Sequence, residues 1–170
     1  MKAQRTLPHC GIIFLHPYIN LLFSNLELLE NKKFKSHDTQ IKAVQLLYFL
    51  ANSKIDSPPQ LELEIFRRLI GISSEEMISF PKNLTAIEKK ECIFLLESFI
   101  DNWAALKNCN VEIVQKHFLR KQGVILEIDE TFEIVLEKNS TDLLLNTIPF
   151  SYSFVKVPWL NHFITTRISD

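Results

Sequence analysis

Glycine is the residue this chain has least of relative to expectation. Only Gly11, Gly71 and Gly123 occur among 170 residues, against an ordinary usage of about 7%. A phosphate-cradling loop needs several closely spaced glycines so that backbone N–H groups can approach the anion. Three widely separated glycines therefore exclude a dinucleotide-binding fingerprint and a P-loop. Cysteine is sparse too: Cys10, Cys92 and Cys109 make an odd count with no C-x-x-C pairing. That leaves no basis for a disulfide framework or a four-cysteine zinc site, and predicts buried free thiols in a reducing compartment. No sign of charge dominates, with 19 Lys and Arg against 20 Asp and Glu, so no overall field favours nucleic acid, anionic lipid or a highly charged substrate. Long apolar runs are missing as well, and none approaches the ~20 residues that span a bilayer. Lys2 and Arg5 precede the run Ile12 to Phe23, but His16, Pro17 and Asn20 interrupt it and no small-residue cleavage site follows. A soluble protein that stays in the cytoplasm is expected.

What is present reads as a folded domain. The 46% apolar and 23% charged residues are ordinary for a globular chain, and the length fits a single domain over 1–170. Tyr18, Ile19, Leu22, Phe23, Leu26 and Leu29 follow helical spacing from Pro17 to about Glu30. Asp38 is a good N-cap for a second helix running to Ala51, and its stretch Leu46–Leu50 is apolar nearly all round, the mark of a helix enclosed by others. Ser57-Pro58-Pro59-Gln60 predicts a capped third helix that stops at Gly71, and Thr85 with Glu88 forms a capping box for a fourth that runs to Trp103. Asn110 can cap a fifth, Val111 to about Arg120.

After Gly123 the apolar period changes from helical to alternating. Val124, Leu126 and Ile128 share one side of a strand, and Phe132, Ile134 and Leu136 repeat the pattern, so an antiparallel pair is predicted. Ser140-Thr141-Asp142 can cap a short helix, Leu143 to Ile148, and Ser153–Trp159 and Phe163–Ile168 read as strands. The expected fold is α+β: an N-terminal extension (1–9), a bundle of about five helices (10–122), then a β-rich part (123–170) with a small antiparallel sheet and one short helix.

Chemistry is thinly signalled. His9-Cys10 followed by His16 is the densest metal-like cluster, but it lacks further ligands at zinc spacing. Cys109 lies eight residues before His117, about 12 Å of helical rise, too far for direct pairing on one element. No nucleophile elbow or H-E-x-x-H is present. No cofactor or metal is expected, and the short basic patches carry no interleaved aromatics that would suit nucleic acid. The most informative stretch is Phe150 to Trp159, where Phe150, Tyr152 and Phe154 project to one side and Val155, Val157 and Trp159 to the other. A strand apolar on both faces must be covered twice, by its own core or by a partner. Pro158, which lacks an N–H, favours an edge position and keeps the partner-facing reading open.

Several phrases taken together resemble a known family. Gly11-Ile12-Ile13-Phe14-Leu15-His16-Pro17-Tyr18-Ile19 and Ala43-Val44-Gln45-Leu46-Leu47-Tyr48-Phe49-Leu50-Ala51 resemble the opening of the module shared by contractile injection system tape measure proteins. The resemblance continues through Trp103-Ala104-Ala105-Leu106-Lys107-Asn108, Phe118-Leu119-Arg120-Lys121-Gln122-Gly123 and Val155-Lys156-Val157-Pro158-Trp159-Leu160. The chain departs from the family where Phe66 to Gly71 replaces an Asn-Lys-Leu-Leu-Cys-Gly stretch, keeping its chemistry only at Arg67, Leu69 and Gly71, and where Ala104 replaces a proline.

The resemblance implies a non-enzymatic structural component of a phage-tail-like particle that helps set tube and sheath length. Its implied partners are tube, terminator or baseplate proteins, and its implied location is the cytoplasm during assembly, with the tube lumen as a further site. Phe150, Tyr152, Phe154, Trp159 and Arg67 are the candidate protein-interaction residues. Even wholly helical, the chain would reach only about 255 Å at ~1.5 Å per residue, and folded its radius of gyration should be about 15 Å. It is therefore expected to be the family's globular module, either of a longer ruler or of a short member that does not measure by spanning. Two other readings stay open: a free-standing adaptor or assembly chaperone of such a system, and a cysteine-dependent enzyme using Cys109 or Cys92 with a histidine.

Overall fold

A computed structural model describes residues 4–54 and 56–170. A 3-10 turn, Cys10–Leu15, leads into α1 (His16–Asn25), followed by a tight hairpin of β1 (Leu29–Glu30) and β2 (Lys33–Phe34). Next come α2 (His37–Asn52), α3 (Gln60–Ile70), α4 (Ala86–Asp101) and α5 (Val111–Val114), the last running on as a π-helical turn, Gln115–Leu119. The chain closes with β3 (Gly123–Ile128), β4 (Thr131–Leu136), α6 (Asp142–Leu145), β5 (Phe154–Val155) and β6 (Ile164–Ile168).

The architecture is α+β, with two corrections to the expected arrangement. The larger sheet, in the order β3-β4-β6-β5, is mixed: β3 pairs antiparallel with β4 and β5 with β6, but β4 and β6 run parallel. The short helix α6 follows β4 as expected, but the helices do not form a separate N-terminal bundle, because Leu7 pairs with Gly123 through reciprocal N–H···O bonds of 2.7 and 3.0 Å. Helices and strands contribute to one core, in which α2 is central: Ala43 to Ala51 are buried without exception. That is the enclosed helix expected from its all-round apolar stretch.

Local rules account for most element ends. Thr85 and Glu88 form the expected capping box, Asn110 caps α5, and Gly71 ends α3 at φ 95°. The second helix starts at Ser36, not Asp38, since Ser36 and Thr39 satisfy each other's backbone N–H groups. The third is not capped by Ser57: Pro59 holds that position, and Gln60 turns instead to Ile78 and Arg67. The first helix stops five residues short of Glu30. Glu27 takes a left-handed φ of 60°, while the Leu28 N–H donates to the Phe23 carbonyl and the Glu27 N–H to that of Ser24, the bonding of a Schellman end. Asn31 and Lys32, at φ 51° and 68°, then make the hairpin turn. The strand expected over Ser153–Trp159 shrinks to two residues, because the chain leaves the sheet after Val155 to carry Val157 and Trp159 inward.

Candidate interaction surfaces

The five candidate residues separate into two that build the interior, two that bridge and one that faces outward. Arg67 on α3 is only 2% exposed. It donates to the carbonyls of Ser73 (2.7 Å) and Glu76 (2.6 Å) and to Gln60 Oε1 (3.0 Å), with the Glu64 carboxylate 3.2 Å from Nε. Gln60 in turn donates to the Ile78 carbonyl at 2.7 Å and accepts from the Ile78 N–H at 2.9 Å. Together the two side chains strap the loop after α3 onto the helix. Trp159 is also interior: its indole N–H donates to the Leu69 carbonyl at 2.8 Å, and its ring packs 5.4 Å from Phe23 and 5.1 Å from Phe34.

Phe150 and Tyr152 are half-buried and tie the C-terminal segment to the N-terminal one. Phe150 meets His16, Tyr18 and Phe99 edge-on or tilted, and Tyr152 meets Phe14 edge-on with centroids 5.1 Å apart. Phe154 alone of the five faces solvent. It is 57% exposed and stacks at 4.4 Å on Phe163, itself 47% exposed. The Lys156 ammonium lies over the Phe163 ring, the Thr131 hydroxyl donates to the Phe163 carbonyl, and β5 pairs with β6 through Phe154↔Thr165 and Val155↔Ile164. The result is an aromatic ridge held in place at the β5 edge of the sheet. Phe163 was not among the candidate residues, because a strand of alternating residues does not reveal which ring its neighbour will stack against.

The thiols and histidines are set for burial. Cys10 donates to the Leu7 carbonyl at 3.5 Å, and burial pushes its thiol up to about 12. Cys92 is fully buried and is also raised, by burial and then by the carboxylates of Glu88 and Glu91. Thiols held protonated in this way are poor nucleophiles. His9 stacks on Phe66 at 5.6 Å and is lowered to about 4, first by burial and then by the charges of Arg120 and Lys54. The His16 Nε2–H donates to the Ser151 carbonyl at 2.8 Å, and burial lowers this histidine as well. Among the described residues no three His, Cys, Asp or Glu side chains are grouped to hold a metal ion, and no helix is long and apolar enough to cross a membrane.

The phrases that suggested a family now have a physical meaning, because they meet in space. Gly11 packs against the backbone of Phe118, and the Trp103 ring lies 5.1 Å from that of Phe118. They specify how the N-terminal turn packs onto the helices. A family model described as contractile injection system tape measure protein matches residues 2–168. No curated protein and no solved structure gives a significant match.

Proposed function

Since the chain belongs to the contractile injection system tape measure protein family, we propose that it works as a non-enzymatic, globular assembly module. In this reading it docks through the Phe154–Phe163 ridge onto a tube, terminator or baseplate protein during particle assembly. The ridge carries the reading: two large rings stand stacked and exposed at a sheet edge, and aromatic anchors of this kind dominate protein–protein binding energy. Their prior fixation by the β5–β6 pairing and by Thr131 lowers the ordering cost of docking. Phe150, Tyr152 and Trp159 fix the segment that carries Phe154, whereas Arg67 fixes the loop after α3.

Removing the C-terminal segment wholesale would not test this, because Val155, Val157, Trp159 and Ile164 belong to the core. The test is Phe154→Ser with Phe163→Ser, combined in one chain. The double variant should unfold within a few degrees of the wild type and lose co-purification with particle components. Unchanged co-purification contradicts the proposal.

A further inference from the structure

The opposite edge of the sheet, β3, has a different character. In an antiparallel pair, alternate residues turn their N–H and C=O toward the partner strand and those between turn them outward. The Glu137 N–H donates to the Gln122 carbonyl at 2.8 Å, which assigns Gln122, Val124, Leu126 and Ile128 to the inward set facing β4. The reciprocal bonds between Leu7 and Gly123 show the outward set beginning at Gly123. Ile125 and Glu127 follow in that outward set. Among the described residues no backbone group bonds to either of them from outside the sheet.

Those two positions open onto a cavity of about 610 Å³ walled by α3 and the loop that Arg67 and Gln60 strap down. Leu61 and Met77 give it an apolar wall, and both are exposed. Its carboxylates are Glu64, Glu75, Glu76 and Glu127. Arg67 is taken up by Glu64 and Arg68 by Glu127, while Glu76 pairs with His37 and Glu75 has no ion-pair partner among the described residues. Arg5 lines the same cavity and, like Glu75, has no ion-pair partner among the described residues.

We infer that the free β3 edge and this cavity form a strand-addition site for an extended partner segment with apolar and basic side chains at the positions facing the cavity. The main chain of that segment bonds to Ile125 and Glu127. Every second side chain enters the cavity, apolar ones against Leu61 and Met77 and basic ones beside Glu75. The site is independent of the aromatic ridge, so either can fail without the other.

The test uses amide hydrogen exchange by NMR on the full chain. The probe is the peptide acetyl-Lys-Thr-Leu-Thr-Lys-Thr-Leu-amide, with Glu in place of Lys as its control. At a concentration ten times its dissociation constant the basic probe should slow exchange at Ile125 and Glu127 about tenfold, and the acidic control should not. Glu127→Pro removes one outward N–H and leaves the inward bonds intact, and should weaken the probe at least tenfold. Glu75→Lys breaks no bond of the fold and should weaken the basic probe severalfold. No slowing with the basic probe, equal slowing by both peptides, or full binding by folded Glu127→Pro would each overturn the inference. So would slow exchange at Ile125 and Glu127 in the free protein that is lost when residues 1–4 are deleted, since the chain's own N-terminus would then fill the edge.

Discussion

Replacing Gly11 by alanine tests the packing of the N-terminal 3-10 turn against the π-helical turn. A Cβ at position 11 would lie 1.6 Å from the Phe118 carbonyl oxygen and 2.7 Å from its carbon. Restoring an ordinary C···O approach of about 3.3 Å requires the 3-10 turn and the π-helical turn to part by roughly 1.7 Å. Both are backbone, so no side-chain rotation can absorb the clash. The Gly11 N–H bond to the Lys121 carbonyl, already 3.3 Å, breaks as they separate. Overpacking of a core contact costs about 1–3 kcal/mol and a lost hydrogen bond about 1 more. The sum, roughly 3 kcal/mol, corresponds to a fall in Tm of about 10 °C for a chain of this size. Differential scanning calorimetry should show that fall for Gly11→Ala. At Gly71, where the nearest atom to an added Cβ is a leucine methyl 3.1 Å away and the strain is one of φ, alanine should cost about 1–2 kcal/mol. A Tm within about 2 °C of wild type for Gly11→Ala would refute the close approach of the two turns.

Three further outcomes follow from the interior. His9 is held well below its ordinary 6.5, at about 4, chiefly by burial, so the unfolded chain binds the proton more readily. Its contribution to stability is complete above pH 6.5 and is lost as pH falls toward 4, on the order of 3 kcal/mol in all; denaturant midpoints should fall over that range, less steeply in His9→Asn, and an equal slope in both proteins would contradict the assignment. Under native conditions a thiol reagent at neutral pH should modify Cys109, which is half-buried, and reach the buried Cys10 and Cys92 only on denaturation; rapid native labelling of Cys92 would instead favour an activated thiol. Arg67→Leu strands the carbonyls of Ser73 and Glu76 and leaves Glu64 unpaired, a loss of about 3–5 kcal/mol, and limited proteolysis should then cut first in the 73–78 loop.

The sequence revealed elements through rules that act within a few residues. Thr85 with Glu88, Asn110 and Gly71 did what local capping chemistry dictates, and the change of apolar period at Gly123 marked the sheet. What it hid depends on contacts between distant positions. Nothing near Gln60 announces that its side chain will fasten Ile78, and nothing near Leu136 announces a parallel neighbour in Ile168. The site suffered the same way. An aromatic-rich tail was legible as a surface to be covered, but Trp159 found Leu69 and Tyr152 found Phe14, leaving Phe154 with a partner from nine positions further on. Arg67 looked like a contact residue because it keeps the family's chemistry in a stretch that otherwise departs from it. Only the carbonyls of a loop six and nine residues away make it an interior one.

The most direct test of docking through the ridge is site-specific photo-crosslinking during particle assembly. A photoreactive phenylalanine analogue placed at Phe163 should yield a covalent product with a tube, terminator or baseplate protein, whereas the same group at the exposed Lys107 should yield none. Absence of a product from position 163, or equal products from both positions, would contradict the account.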